Sequence, residues 1–270
     1  MGKRTRYEPG TFSWVDLGTT DREAAKGFYG ELFGWEGEDN PMPDGSGSVY
    51  SMMTIGGEAV AAIFDQQQEQ RDAGIPPAWF SYVTVASADD SAARAKEAGG
   101  SVHAGPFDVG EAGRMAVVAD PTGAMFGVWQ AGDSIGATLV NDPGSLTSNE
   151  LSTTDVARAS EFYESLFGWK VEPIDTGDFP PYWSIGHEGA AGGRNGGIRE
   201  LAPEQVEAGV PPHWMPYFTV SSIDDAAATV ASGGGEPVFG PLDLPTGARI
   251  AVSRDPQGAF LGLFQGEVDD

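Results

Sequence analysis

Polar residues able to do chemistry recur in this chain as matched pairs. A carboxylate stands at Asp16 and again at Glu150, a tyrosine at Tyr82 and Tyr217, and an arginine at Arg114 and Arg249. A carboxyl group in an apolar surrounding is pushed toward its neutral form and can then act as general acid or base near neutral pH. A phenol can donate a hydrogen bond to a ligand carbonyl. The bland alternative is that Asp16 and Glu150 pair with an arginine or sit at a wet rim, because structural ion pairs perturb carboxyls too. The three histidines, His103, His187 and His213, stand in GGSVHAGP, IGHEGAAGG and PPHW and read as exposed loop residues. No H-x-x-x-H or H-E-x-x-H spacing exists. Cysteine is absent, which excludes disulfides, thiolate catalysis and Cys-ligated metal. No G-x-S-x-G or G-x-x-x-x-G-K-[ST] motif occurs, and the Gly-rich GAAGGRNGG (189–197) lacks the Lys-Ser/Thr of a phosphate loop, so it reads as a hairpin.

The matching follows from an internal repeat. TTDREAAKGFYGELFGW (19–35) returns as TTDVARASEFYESLFGW (153–169), with 10 of 17 positions identical. PPAWFSYVTV (76–85) returns as PPHWMPYFTV (211–220), GPFDV (105–109) as GPLDL (240–244), and DPTGAMFGVWQ (120–130) as DPQGAFLGLFQ (255–265). The halves are therefore equivalent domains, 1–132 and 146–270, joined by a Gly-, Ser-, Asp- and Pro-rich linker at 133–145.

A weaker repeat lies inside each half. A short strand, a polar turn and a helix are followed by several Gly-punctuated strand-like runs. The chain reads as an α+β protein of four β-α-β-β-β units beginning near Phe12, Trp79, Leu146 and Trp214. FY-x-x-LFGW ends the first helix of each half. Phe28 and Leu32, and Tyr29 and Phe33, are i,i+4 partners, and Gly34 stands where a left-handed C-cap is wanted. Thr20 and Glu23 make a capping box at its start, and Thr154 or Asp155 caps the second copy. These aromatics read as core rather than as a cofactor platform.

Composition is that of an ordinary globular protein, with 40% hydrophobic residues in 270. The net charge of −25, with acidic residues divided evenly between the halves, leaves no basic patch for a phosphate backbone, so nucleic acid is not expected as a partner. No apolar run approaches the ~20 residues that span a bilayer. MGKRTRYEPG is basic without an apolar segment behind it, so no secretory signal and a cytoplasmic location are expected.

The helix ending FY-x-x-LFGW after a strand and Thr-Asp, with DPxGAxxGxxQ near the end of each half, resembles the vicinal oxygen chelate superfamily: glyoxalase I, bleomycin-resistance proteins and extradiol dioxygenases. The chain looks most like tandem glyoxalase-like proteins labelled glyoxalase/bleomycin-resistance proteins or hydroxylases. The resemblance implies two glyoxalase-like domains whose mostly antiparallel sheets curl into cups, with function inside the cup. Fold membership alone does not give the reaction. The metal-using members carry ligands at positions that here hold Trp14 and Ser148, Phe80 and Met215, and Gly127 and Gly262. Indole, hydroxyl, phenyl, thioether and backbone do not make a divalent site of the imidazole and carboxylate kind. A chain without that metal centre, and without another cofactor, is therefore expected.

Strand alternation places Trp14, Asp16, Phe80, Tyr82, Met125, Gly127 and Trp129 inside the first cup. It places Ser148, Glu150, Met215, Tyr217, Phe260, Gly262 and Phe264 inside the second, with Arg114 and Arg249 on the strand before each DPxG turn. Such a lining suits a small apolar or aromatic molecule, and the glycines clear space for it. The expected function is sequestration of such a molecule in one or both cups, by a monomer or homodimer. The alternatives are an enzyme of secondary or aldehyde metabolism using Asp16 or Glu150 as acid/base, a metal-dependent glyoxalase or dioxygenase with displaced ligands, and a scaffold working through protein contacts.

Overall fold

The computed structural model describes residues 2–42, 47–177 and 179–268, so the outer domain limits at Met1 and 269–270 lie outside the described residues. The first unit is β1 (Phe12–Thr19), α1 (Arg22–Phe33), β2 (Glu36–Pro41), β3 (Val49–Ile55) and β4 (Glu58–Asp65), followed by a short α2 (Gln68–Asp72). The second is β5 (Ala78–Thr84), α3 (Ala88–Glu97), β6 (Ser101–Val109), β7 (Gly113–Ala119) and β8 (Met125–Ala131). The second half repeats this order. Its third unit is β9 (Leu146–Thr153), α4 (Val156–Phe167), β10 (Lys170–Ile174), β11 (Tyr182–Gly186) and β12 (Arg194–Glu200), with α5 (Pro203–Glu207) after it. The fourth is β13 (His213–Thr219), α6 (Ile223–Ser232), β14 (Glu236–Asp243), β15 (Arg249–Arg254) and β16 (Phe260–Gln265).

Units pair within a half, giving two eight-stranded sheets ordered β2-β3-β4-β1-β5-β8-β7-β6 and β10-β11-β12-β9-β13-β16-β15-β14. The central pairs β1/β5 and β9/β13 are antiparallel. Only β1/β4, β5/β8, β9/β12 and β13/β16 run parallel, among the described residues. The first helix of each half ends as expected, with Gly34 and Gly168 in the left-handed region (φ 73° and 74°). Its start differs. Asp21 and Asp155 are the N-caps, accepting from the amides of Ala24 and Arg158, so Thr20 makes no capping box with Glu23. A carboxylate at the cap also meets the positive end of the helix dipole.

The halves share their cores. α1 packs beside α6, and α3 beside α4. One apolar cluster joins Leu17, Phe28 and Tyr29 to Phe218, Ile223 and Leu261; the other joins Val83 and Phe126 to Phe162, Tyr163 and Trp214. Burying a ring such as Phe28 or Phe162 contributes roughly 1.5–3 kcal/mol. The 133–145 segment is correspondingly not a loose tether. Ala137, Leu139, Val140, Gly144 and Ser145 are buried, and Ala137 N–H donates to Ser13 O at 2.8 Å.

The two repeated motifs meet across this interface. Tyr29 of the first FY-x-x-LFGW donates its hydroxyl to Asp255 Oδ2 of DPQG at 2.9 Å, and Tyr163 of the second donates to Asp120 Oδ2 of DPTG at 3.1 Å. Trp79 and Trp214 donate indole N–H to those same hydroxyls, at 3.1 and 2.8 Å. The other carboxylate oxygen of Asp255 accepts the amides of Gln257, Gly258 and Ala259. Asp120 does the same with Thr122, Gly123 and Ala124. Trp35 and Trp169 close each motif by donating to Gly144 O and Gly10 O, both at 2.7 Å. Tyr29→Phe leaves Asp255 Oδ2 buried without its donor, so a loss of about 1–3 kcal/mol is expected in urea unfolding. Tyr163→Phe should cost a similar amount. A cost below about 0.3 kcal/mol in both would show that these bonds do not hold the halves together.

Candidate functional site

The face of each sheet opposite its helices carries most of the expected cup residues, and Trp14 and Tyr82 there are themselves buried in the apolar cluster. In the first cup the site is built on β1, whose Val15 and Leu17 are fully buried on the core side, leaving Trp14 and Asp16 on the other. Asp16 stands opposite Phe80 on β5 and Ala62 on β4. Its Oδ2 accepts hydroxyls from Tyr82 at 2.9 Å and Tyr50 at 3.0 Å, while Oδ1 is buried with no partner. Trp14 donates its indole N–H to Tyr50 Oη at 2.9 Å. Burial pushes the Asp16 carboxyl up to about 7, against the two tyrosine bonds, which pull it down. Burial and the Asp16 charge both hold the Tyr50 and Tyr82 phenols well above their usual range.

The second cup repeats the arrangement with one change. Glu150 faces Met215 and Gly197 in register. Its Oε1 accepts from Arg199 Nε at 3.1 Å and lies 3.5 Å from the Tyr217 hydroxyl, and Tyr182 is a further hydrogen-bond partner. Burial raises the Glu150 pKa and Arg199 opposes it. Tyr182 pairs with Arg199 as Tyr50 pairs with Phe64, so a cation here replaces a ring. Glu150 therefore does pair with an arginine, though not with Arg249. Sequence reasoning missed Tyr50, Tyr182 and Arg199. The only signal was the weak match of YSMMTIG to YWSIG, hidden by the unequal loops before them.

The remaining expected residues divide. Phe80 packs edge-on against Tyr82 at 5.1 Å, and Trp129 donates its indole N–H to Ser134 O at 2.9 Å. Ser148 faces Tyr217 in register, and Phe264 faces Thr219. Met125 and Phe260 are exposed at the starts of β8 and β16, with Arg254 over the Phe260 ring. Gly127 and Gly262 do not clear room for a ligand. A Cβ there would lie 2.1 Å from the Tyr82 ring and 2.3 Å from the Tyr217 ring, so the glycines make room for the tyrosines. Arg114 and Arg249 are on the wrong face for the cups. Arg114 stands opposite Gln130, one residue out of phase with Trp129, and is ion-paired with Asp89 of α3 and Asp108. Arg249 likewise stands opposite Gln265 and pairs with Asp224 of α6 and Asp243. Strand alternation sends both toward the helices.

His103 and His187 stand apart from these clusters, whereas His213 pairs with Ser152 on β9 and feels the charge of Arg199. His103 lies on β6 rather than in a turn and contacts Ser101, His187 follows β11, and His213 opens β13 with Nδ1 2.8 Å from Pro211 O. Burial lowers the pKa of His187 and His213. Among the described residues no three His, Cys, Asp or Glu side chains converge as metal ligands would. A resident divalent metal of the resembled superfamily does not fit these positions. The tyrosine ring over Gly127 occupies the side where the last-strand carboxylate would stand, and the cup offers one carboxyl and two phenols.

A buried acid with a raised pKa has a defined stability signature. Unfolded, Asp16 ionises near pH 4; folded, it stays protonated to about 7, so folded-state stability falls as pH rises between those values and then levels off. Asp16→Asn keeps an acceptor for the tyrosines and has no charge to bury. Its stability relative to the parent should rise from a gain of about 1 kcal/mol at pH 4.5 toward one of about 4 kcal/mol at pH 8, read by urea unfolding at both pH values. An Asn variant no better at pH 8 than at pH 4.5 would contradict a neutral buried Asp16. Gly127→Ala should cost on the order of 1–3 kcal/mol and displace the Tyr82 ring, visible in near-UV circular dichroism.

The glyoxalase family model, described as the Glyoxalase/Bleomycin resistance protein/Dioxygenase superfamily, matches residues 11–128 and 145–263. A curated relative from Mycobacterium bovis named "Putative glyoxylase CFP32" is 43% identical over 98% of both chains. The "Anthracycline biosynthesis protein DauV" of Streptomyces sp. (strain C5) is 35% identical over 97% of this chain and 95% of its own. Among solved structures, the Mn(II)-bound glyoxalase from Novosphingobium aromaticivorans superposes with a TM-score of 0.65 at 17% identity, covering 97% of this chain and 85% of that one, which shows a shared fold. With the repeated units, the paired sheets and a family match in each half, this chain belongs to the glyoxalase/bleomycin resistance protein/dioxygenase superfamily.

Proposed function

We propose that this protein binds a small, largely apolar or aromatic organic molecule in one or both cups, without the superfamily's metal centre. The observation that carries this reading is Asp16 Oδ1, a buried oxygen left without a partner on a ring-lined face. Phe80, Tyr50, Phe64 and Trp129 are partly buried on that face and offer an apolar floor. A protonated Asp16 donates to a ligand carbonyl; an ionised one accepts from a ligand hydroxyl. The kinship with an anthracycline biosynthesis protein agrees with an aromatic ligand. The kinship with a named glyoxylase brings a different class of substrate. The raised Asp16 pKa favours a second reading, an enzyme in which Asp16 moves a proton at neutral pH.

Metal analysis of untagged protein purified without chelator should find well under one equivalent of Zn, Ni, Mn or Fe, and adding these ions should not shift the melting temperature. One equivalent lost together with activity would sink the metal-free reading. Titration with planar quinones and phenols, followed by tryptophan fluorescence, should saturate. Asp16→Asn and Glu150→Gln should leave affinity within about threefold if the role is sequestration, and should abolish turnover with folding intact if it is catalysis.

A further inference from the structure

The two cups differ along one row of facing residues. In the first half Gly18 on β1 stands in register between Phe64 on β4 and Ala78 on β5. In the second half Ser152 on β9 stands between Arg199 on β12 and His213 on β13. Three apolar positions have become three polar ones. The changes are coupled by space. A Cβ on Gly18 would lie 3.2 Å from the Phe64 ring, and a serine occupies the matching place where Arg199 replaces that ring. Strand alternation puts Ser152 on the same face as Glu150, inside the second cup.

His213 carries the chemistry of this row. Its Nδ1 lies 2.8 Å from Pro211 O. A carbonyl only accepts, so Nδ1 holds the proton and Nε2 keeps its lone pair. Burial lowers the His213 pKa against the Pro211 bond, and the Arg199 charge lowers it further, so the ring is uncharged at neutral pH. The first half satisfies the matching carbonyl differently. There Gln66 Nε2 donates to Pro76 O at 3.1 Å, and Leu201 stands at the place of Gln66. His213 takes over that bond, and Nε2 is an acceptor the bond does not use. Beside it Ser152 Oγ is buried without a hydrogen-bond partner, a donor whose burial costs free energy until an acceptor reaches it. Arg199 is committed through Nε to Glu150 and through Nη1 to Gln205, so it walls the row and is not a free counter-charge. Met215 follows His213 on the same face, and Phe260 lies next to Met215 on β16 with its ring exposed, an apolar bed beside the polar row.

We infer that the second cup selects ligands that carry a phenol-type hydroxyl on a flat apolar body, with His213 Nε2 accepting from that hydroxyl and Ser152 Oγ donating to its oxygen. The inference rests on the cup reading and names the chemistry that the second cup recognises.

The test uses 2-naphthol and its methyl ether, 2-methoxynaphthalene, on the full chain. They share one flat body, and only the first has a hydroxyl to donate. Near pH 7 the naphthol should bind saturably and about tenfold tighter than the ether, the worth of one neutral hydrogen bond. The double variant Leu201→Gln/His213→Ala copies the first half's way of satisfying the carbonyl while removing Nε2. With a melting temperature near that of the parent, it should bind the naphthol no tighter than the ether and leave the ether within about twofold. NMR of the parent chain carrying nitrogen-labelled histidine gives a reading that needs no altered cup. The chain has three histidines, so His103→Gln and His187→Gln assign the signals. The His213 Nε2 signal should move on addition of the naphthol and stay in place with the ether. Equal affinity for the two probes, a hydroxyl preference that survives in the double variant, or an unmoved Nε2 signal would overturn the inference and leave the cup reading standing. Saturable binding of neither probe would overturn both.

Discussion

The tyrosine of each FY-x-x-LFGW helix, bonded to the aspartate of the other half's DPxG turn, is the constraint on which this architecture depends. Each bond joins a helix of one half to the turn before the last strand of the other, and the two are related by the pseudo-symmetry of the repeat. A buried carboxylate needs every donor it can reach. Asp255 and Asp120 take backbone amides from their own turns and a phenol from across the interface. Burial still raises the Asp255 pKa, so losing the phenol would leave a costly oxygen behind. The motif is written twice because each copy completes the other half.

Directing the helices inward fixes where chemistry can happen. With the helix-side faces of the sheets committed to one another, β1 and β9 present Trp14 and Asp16, and Ser148 and Glu150, to the opposite faces. The two cups then diverge by one position. Phe64 beside Tyr50 keeps the first cup apolar around Asp16, whereas Arg199 beside Tyr182 gives Glu150 a cation. Two carboxyls at equivalent places thus meet different electrostatics, and only Asp16 has an oxygen left without a partner, among the buried side-chain atoms of the two clusters.

A glycine on the last strand of each half, Gly127 or Gly262, shapes both cups. A glycine there lets the tyrosine of the neighbouring parallel strand lie flat over the backbone, and its hydroxyl reaches the carboxyl on the first strand. The fit of tyrosine over glycine recurs at Tyr217 and Gly262. In the second cup Gly197 takes part in the same way, since a Cβ there would lie 2.0 Å from the Tyr182 hydroxyl.

The sequence by itself determined the units, their order, the helix ends at Gly34 and Gly168, and the side of β1 and β9 on which Trp14, Asp16 and Glu150 stand. These follow from local rules of turn chemistry and strand alternation, acting over a few residues and confirmed by repetition. The tertiary structure decided what lies far apart in sequence. Tyr50 and Tyr182 join the carboxyls from strands whose register depends on loops of unequal length. Arg114 and Arg249 turn to the helices because their strand enters the sheet one residue out of phase with the expectation. The linker becomes packed structure because its amides find acceptors on β1 and β4. Partners such as Tyr29 and Asp255, 226 residues apart, are chosen by burial and hydrogen-bond satisfaction in the assembled core, which no local pattern encodes.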